Sequence, residues 1–475
     1  MLRLIYKRLM AKYFKGVATL IFLIFALFSS LFVLKQIQVW QKRAEEGPLE
    51  VSFEATPQEQ IKRVWTNYAQ GGEESVLMLK PAEKEIKKLQ PEFIRIDHLF
   101  DFYEILKKDA QGNLVFDFSH LDQRVEEIKS LGATPFLSLS YFPRLISPDP
   151  SKFPDSLAEW QILIEKTIQR YSGKAEKNLA GVYYEVWNEP DLFGRMTPET
   201  YFSLYQSSVL ASDNCRNCNA FKIGGPAITT LKVQSPWMDS FLNMVSQKQT
   251  RLDFISWHSY QVDPLKMTAE VEGLKNLSSY LRLATNPELI VSEWGSVPEV
   301  SPLHDSYFDA SHTIAAVAAV KNSVDKLFAF ELKDGPSPEK KQFWGRWGLL
   351  THEGTGLTAK PRYFAFIYLN KLLQYRLNTL SLSPDTWAIG STDGKAAFSF
   401  VISRTDKSTR GRPVKLKLIK PPAGSYKANI YSLDPSHNPL FSSPVEVSFS
   451  GGSLIVGFPS LHEGVYLIEI AVTPP

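Results

Sequence analysis

Cysteine is nearly absent from this chain: Cys215 and Cys218 are the only two in 475 residues. That excludes a disulfide-built scaffold and an iron–sulfur protein. The Cys-Arg-Asn-Cys pair lacks the further ligands a zinc site needs, and the eight histidines show no pair at metal-ligand spacing. No metal is therefore expected, and in an oxidising compartment the two thiols are expected to join as a local disulfide. A surplus of one charge is missing as well: 53 Lys and Arg face 50 Asp and Glu, a net charge of +3. A nucleic-acid binder needs basic residues dominating a face, so no nucleic-acid partner is read. Gly224-Gly225-Pro226 is followed by no Gly-Lys-Ser/Thr, which excludes a phosphate loop, and no cofactor is expected. No fixed-length repeat is visible, which argues against a solenoid or propeller. What remains is an ordinary globular composition, 44% hydrophobic and 22% charged, in a chain too long for one core. Aromatics are plentiful (Trp 10, Tyr 19, Phe 30), enough for stacking platforms besides a core.

The first fifty residues depart most from that average. Gly16 to Leu34 read GVATLIFLIFALFSSLFVL without a charge, a helical length that spans a ~30 Å hydrocarbon core. Arg3, Lys7, Arg8, Lys12 and Lys15 precede it with no acidic residue among them. By the positive-inside rule residues 1–15 form a cytoplasmic end, 16–34 a transmembrane helix, and the rest lies outside. A cleaved signal peptide is the alternative, and it leaves the working part extracytoplasmic too. Residues 35–60 are mostly polar, a tether, although Leu49–Glu54 alternates like a strand.

From 61 to 375 short apolar runs alternate with amphipathic stretches. The strand-like runs are 64–69, 93–96, 135–139, 182–187, 222–225, 254–258, 289–293 and 327–332. Between them, Leu157, Trp160, Leu163, Ile164, Ile168 and Tyr171 recur at helical spacing. Thr197-Pro198-Glu199 has the form of a helix start. Strand and helix alternating eight times predict an α/β fold, a (β/α)8 TIM barrel. From 376 to 475 short strands separated by Pro, Gly, Ser and Asn predict an antiparallel β-sandwich, at 414–419, 428–433, 445–449, 454–458 and 465–472. The segment 49–54 is a candidate further strand of it.

The strongest chemical signal is a pair of carboxylates at predicted strand ends. Trp187-Asn188-Glu189-Pro190 closes the fourth strand and Ser292-Glu293-Trp294 the seventh. Barrel chemistry sits on that rim, and two facing carboxylates suit glycosidic bond cleavage, one as acid and one attacking the anomeric carbon. Glu185 shares the face of Glu189 by alternation and is expected to be a buried structural partner.

With Trp257-His258-Ser259-Tyr260 after the sixth strand, these motifs resemble clan A of the glycoside hydrolases and are most similar to glycoside hydrolase family 39. That family includes β-xylosidases, α-L-iduronidases and exopolysaccharide-cutting enzymes. The resemblance implies a retaining hydrolase acting on an oligo- or polysaccharide. Glu189 matches its general acid/base and Glu293 its nucleophile, while Asn188 matches the partner of the sugar 2-hydroxyl. Arg95 matches the arginine that keeps the nucleophile charged, and His258 and Tyr260 match residues lining the sugar subsite. The acid has to hold its proton while its partner is ionised, and burial and the neighbouring charge are expected to create that asymmetry. One position departs: family xylosidases carry Arg-x-His on strand two, whereas this chain reads Arg95-Ile96-Asp97-His98, with Asp97 facing the pocket. Trp344, in Phe-Trp-Gly-Arg-Trp, is the candidate stacking platform. The alternative to an enzyme is a non-catalytic polysaccharide-binding protein on a decayed barrel.

Overall fold

The structure, a computed structural model, describes residues 47–473 apart from 72–73, 75–76, 232–235, 406–410 and 461–462. The chain divides into two units, residues 1–49 and 50–475. Only the last three residues of the first unit are described, so the predicted membrane segment 16–34 and its basic flank 1–15 lie outside the described residues. Among those described, no helix is long and apolar enough to cross a membrane.

A first strand, β1 (Leu49–Gln60), precedes the barrel strands: β2 (Asn67–Gln70), β3 (Phe93–Ile96), β4 (Thr134–Leu139), β5 (Tyr183–Val186), β6 (Lys222–Ile228), β7 (Phe254–Tyr260), β8 (Glu288–Gly295) and β9 (Lys326–Phe330). β2 to β9 pair in parallel, and β9 returns to β2 to close the barrel. Each predicted run falls on one of them. The helices that cover the sheet follow the expected pattern. α1 (Ala158–Ser172) buries Trp160, Leu163, Ile164, Ile168 and Tyr171. α2 (Pro198–Asp213) starts at Thr197, whose hydroxyl accepts from Thr200 N at 3.2 Å.

Inside the barrel, strand alternation sorts side chains by height. Ala69, Phe93, Phe136, Tyr183, Phe254, Ile290 and Phe328 form one aromatic-rich cluster across the interior. Phe136 is its hub, with ring centroids 4.7 Å from Phe328 and 5.4 Å from Tyr183. Two residues further along the same strands stand Arg95, Ser138, Glu185 and Ser256, all buried. Each step of two residues keeps the inward direction and moves about 7 Å towards the C-terminal rim. The interior therefore changes from aromatic to ionic along single strands.

Apart from a short antiparallel pair at Leu106–Lys108 and Leu114–Phe116, the remaining strands are β10 (Tyr375–Leu382), β11 (Thr386–Thr392), β12 (Ala397–Arg404), β13 (Arg412–Ile419), β14 (Ser425–Leu433), β15 (Ser442–Val445), β16 (Val447–Ser450), β17 (Ser453–Ser460) and β18 (Val465–Thr473). They and β1 form an antiparallel 10-stranded order, β15-β14-β18-β12-β11-β10-β1-β13-β17-β16. The order folds on itself where β10 meets β11, since those two pair only at Tyr375–Thr392 and Arg376–Ser391. Across the fold Phe53 of β1 packs on Phe400 of β12, with centroids 5.1 Å apart, and Phe458 of β17 packs on Tyr466 of β18. Gly390 leaves room for this, because a Cβ there would come within 2.8 Å of the Phe53 ring. The tether expected over 35–60 needs correcting in its second half. Val51, Phe53 and Ala55 are buried, so 49–60 is a strand in this sheet rather than a free spacer.

Helix α4 (Tyr307–Val320) joins the two parts. Ser311 Oγ donates to the Glu463 carbonyl at 2.7 Å, and Ser403 Oγ donates to the Ser311 carbonyl at 3.2 Å.

Candidate active site

Glu189 and Glu293 meet at the C-terminal mouth of the barrel. One carboxylate oxygen of each, together with a ring nitrogen of His258, lie within 4.8 Å of one another. Both glutamates line a cleft of about 730 Å³, shared with Asp97, Tyr141, Asn188 and Tyr260 among others.

Two local backbone features deliver these carboxyls. Glu189 stands in the turn after β5, where Trp187 and Glu189 both have positive φ, 72° and 49°. Such angles are rare for residues with a Cβ and persist only where the surroundings enforce them. Here Trp187 is clamped: its indole N–H donates to Phe193 O at 2.9 Å, and Tyr141, Phe142 and Trp160 surround its ring. Glu293 arrives by a bulge. Val291 is level with Trp257 on β7, yet Glu293 is level with His258, so Ser292 is an extra residue on β8. Simple alternation from Ile290, which faces inward, would turn Glu293 outward; the bulge turns it back towards the cleft.

Arg95 organises the floor. Its Nε donates to Glu185 Oε2, Nη1 to Glu293 Oε1 and Nη2 to Asn188 Oδ1, each at 2.7 Å. Asn188 Nδ2 in turn donates to Tyr141 Oη at 2.9 Å. Burial works against the Arg95 charge, but Glu185, Glu293 and Asp97 outweigh it and hold the guanidinium above its ordinary pKa. Glu185 is thus a buried partner of Arg95, as alternation suggested.

His258 Nδ1 sits 2.7 Å from Glu189 Oε1 and 3.5 Å from Glu293 Oε2. Burial would lower its pKa, but the carboxylates of Glu293 and Glu189 overcome this and raise it. Tyr260 Oη donates to Glu293 Oε2 at 3.0 Å. Burial pushes the Glu293 carboxyl up; His258 and Arg95 pull it back, and Glu189 and Asp97 add to the rise. The group that burial raises is therefore Glu293, the expected nucleophile, contrary to the expectation from sequence. Glu293 is the more enclosed, with its side chain 8% exposed against 15% for Glu189. The hydrogen-bond partners of the two differ: Arg95 and Tyr260 both donate to Glu293, while His258 lies nearest Glu189.

Around this core Arg362 of α5 (Pro361–Leu369) donates to Trp294 O at 3.2 Å and Phe330 O at 2.9 Å, fastening the ends of β8 and β9. His312 of α4 holds Gln261 O at 2.6 Å beyond β7. Two clusters bring three ligand-type side chains together, Glu189–His258–Glu293 and, elsewhere, Glu74–His352–Glu353. In each, a side-chain cation already sits on a carboxylate, Arg95 in the first and Lys333 in the second.

The structure brings together Glu189, Glu293, Asn188, Arg95, Asp97, His258 and Tyr260. Trp344 does not join them. It lies in a separate depression with Pro302, Asp305 and Pro338, while Trp347 lines the cleft. The chain after β9 doubles back beside the strand end, with Leu349 N donating to Glu331 O at 2.8 Å, and this carries Trp347 over the barrel mouth. Trp344 is left on the outer side of the turn at Gly345, whose φ is 82°. Tyr141, Phe193 and Phe330 also line the cleft and were missed. For Tyr141 a signal existed, since it follows the third barrel strand at the rim that drew attention to Glu189. Cys215 and Cys218 are joined as a disulfide remote from the named site residues in sequence.

Comparison with known proteins places this geometry. The pattern of glycosyl hydrolases family 39 matches residues 55–412. A β-xylosidase of Caldicellulosiruptor saccharolyticus is 25% identical over 346 residues, covering 66% of this chain and 69% of the relative. Among solved structures, the GH39 enzyme from Xanthomonas axonopodis pv. citri superposes with a TM-score of 0.74 at 19% identity, covering 90% of this chain and 98% of that one. A monomeric β-xylosidase from Caulobacter crescentus follows at 0.72 and 20%, covering 90% and 100%.

Proposed function

The chain belongs to glycosyl hydrolases family 39 and is an O-glycosyl hydrolase, and we propose that it works with retention of anomeric configuration through a covalent glycosyl-enzyme intermediate. The observation that carries this is the spacing of the pair: carboxylate oxygens of Glu189 and Glu293 within 4.8 Å. Retaining enzymes hold their carboxyls ~5–5.5 Å apart, whereas inverting enzymes need ~6.5–9.5 Å to admit a water.

In the first step Glu293 Oε attacks the anomeric carbon as the bond to the leaving oxygen breaks, and Glu189 gives its proton to that oxygen. In the second, a water loses a proton to Glu189 and its oxygen displaces the Glu293 carboxylate, releasing the sugar. Arg95 and Tyr260 donate to Glu293 and hold its carboxyl in one orientation between turnovers. Asn188, fixed by Arg95 and Tyr141, is placed to bond the sugar 2-hydroxyl, a contact that strengthens in the transition state. The stereochemical course is read by proton NMR of the first product anomer: retention is expected, and inversion sinks the proposal. A Glu293→Gly variant should be rescued by azide, yielding a glycosyl azide of the opposite configuration.

The substrate in this reading is a cell-surface or exported polysaccharide. Residues 1–15 stay in the cytoplasm, 16–34 span the membrane, and the hydrolase works outside. The apolar run with its basic flank supports this, as does the Cys215–Cys218 disulfide, which suits an oxidising compartment. Release of the chain by alkaline carbonate washing of membranes would refute the anchor.

A further inference from the structure

The cleft carries a charge imbalance that bond cleavage does not require. Its walls present the carboxylates of Asp97, Glu189, Asp191 and Glu293, and no lysine or arginine among the described residues. Glu189 and Glu293 are the reacting pair. Asp191 is engaged, accepting from Thr229 N at 3.0 Å and Thr229 Oγ1 at 2.6 Å. Arg95 lies beneath the cleft, and its nitrogens are taken by Glu185, Glu293 and Asn188.

Asp97 differs from all of these. It is only 6% exposed, and its Oδ1 is buried with no hydrogen-bond partner among the described residues. Its charge acts on Arg95, Glu293, Tyr141 and Tyr103, and it lines the cleft together with both glutamates. A buried carboxylate oxygen without a donor is costly, and such groups are normally satisfied. A sugar hydroxyl reaching the cleft would supply the donor. A sugar carboxylate would bring a second negative charge beside Asp97, with no lysine or arginine among the described lining residues to offset it.

We propose that Asp97 is the specificity-determining residue of the sugar subsite beside Glu293: it accepts a hydroxyl of an uncharged sugar and excludes uronic acids. The hydrolysed glycoside is therefore one whose reacting sugar is neutral. This rests on the hydrolase reading above and narrows its substrate class. Two like charges a few ångströms apart in such a site discriminate by on the order of 10²- to 10³-fold.

The test uses the full chain and matched p-nitrophenyl glycosides of both anomeric series, neutral glucosides, xylosides and galactosides against glucuronides. The wild type is expected to favour a neutral sugar over its uronide by about 100-fold or more in kcat/KM. Asp97→Asn keeps the shape and removes the charge. It should lower kcat/KM on the neutral sugar about tenfold, through KM as well as kcat, and shrink the discrimination at least about tenfold. A wild type that cleaves the uronide equally well overturns the proposal, as does an Asp97→Asn variant whose discrimination is unchanged. Thermal protection of the Glu293→Gln chain by neutral and uronic oligosaccharides reads the same preference without turnover. Protection by neutral sugars alone, weakened by adding Asp97→Asn, supports the assignment; equal protection by both, or none by either, overturns it. A wild type that shows this binding preference yet cleaves nothing refutes the hydrolase reading and leaves the role of Asp97 standing.

Discussion

The two ends of the barrel interior are built on the same strands, a single inward step apart, and they obey different rules. Near the base Phe93, Phe136, Tyr183, Phe254 and Phe328 fill space with rings. At the next inward positions Arg95, Glu185 and their neighbours form a buried ionic lattice centred on the Arg95 guanidinium, which donates to Glu185, Glu293 and Asn188. Ring packing needs the right volume and tolerates rearrangement, whereas a buried charge needs its partner at hydrogen-bond distance. The base is accordingly a source of stability, and the rim uses some of that stability to hold charges where water is excluded.

Substitutions at each level sharpen this contrast. The largest effect is expected for Arg95→Met, which leaves Glu185 buried without its cation and Glu293 without its main donor. Stability should fall by about 3–5 kcal/mol, and kcat/KM measured below the lowered melting temperature should fall at least about 100-fold. Phe136→Ala should cost a comparable ~3–5 kcal/mol in denaturant unfolding through the cavity it leaves. Its kcat/KM on the folded chain should stay unchanged. A large loss of activity there would show that the base also positions the rim, and would break the comparison.

Glu270, on α3 (Pro264–Lys275), tests the outer face of β7, whose inner face carries His258 and Tyr260. It accepts from Ser259 Oγ at 2.7 Å and Gln261 Nε2 at 3.0 Å, and burial pushes its carboxyl up to about 7. Between 4.5 and about 7 the folded chain keeps a proton that the unfolded chain has lost. Its contribution to stability is therefore greatest at acid pH and declines as pH rises through about 7. Glu270→Gln removes that slope, so the variant should gain up to ~3 kcal/mol relative to the parent between about pH 5 and pH 8. Denaturant melts across that range decide it, and parallel curves count against a titrating Glu270. The smallest effect belongs to Tyr260→Phe, which deletes one donor to Glu293. A loss of about tenfold in kcat with the melting temperature unchanged is expected.

Much of this was legible in the chain because parallel strands buried on both faces read as apolar runs, and each predicted run lies on a barrel strand. Glu189 and Glu293 were legible through their motifs, although alternation from Ile290 alone would have pointed Glu293 the wrong way. β10, β11 and β12 escaped notice. In 375–404 polar Ser, Thr, Asp and Asn interrupt the apolar pattern, and much of β10 is exposed, so burial leaves little trace in the sequence. The choice between Trp344 and Trp347 was beyond periodicity, since it depends on how a loop doubles back against Glu331. Asp97 was visible as a departure from the family pattern, but its unpartnered oxygen is a fact of three dimensions.

The extra residue at Ser292 carries a genetic consequence. Loss of that single codon would restore plain alternation to β8 and leave the carboxylate of the next residue, then two positions after Ile290, still facing the cleft level with His258. The direction of the nucleophile therefore survives an in-frame deletion there, whereas the same residues drawn out into a regular strand, with Ser292 paired like its neighbours, would turn it outward.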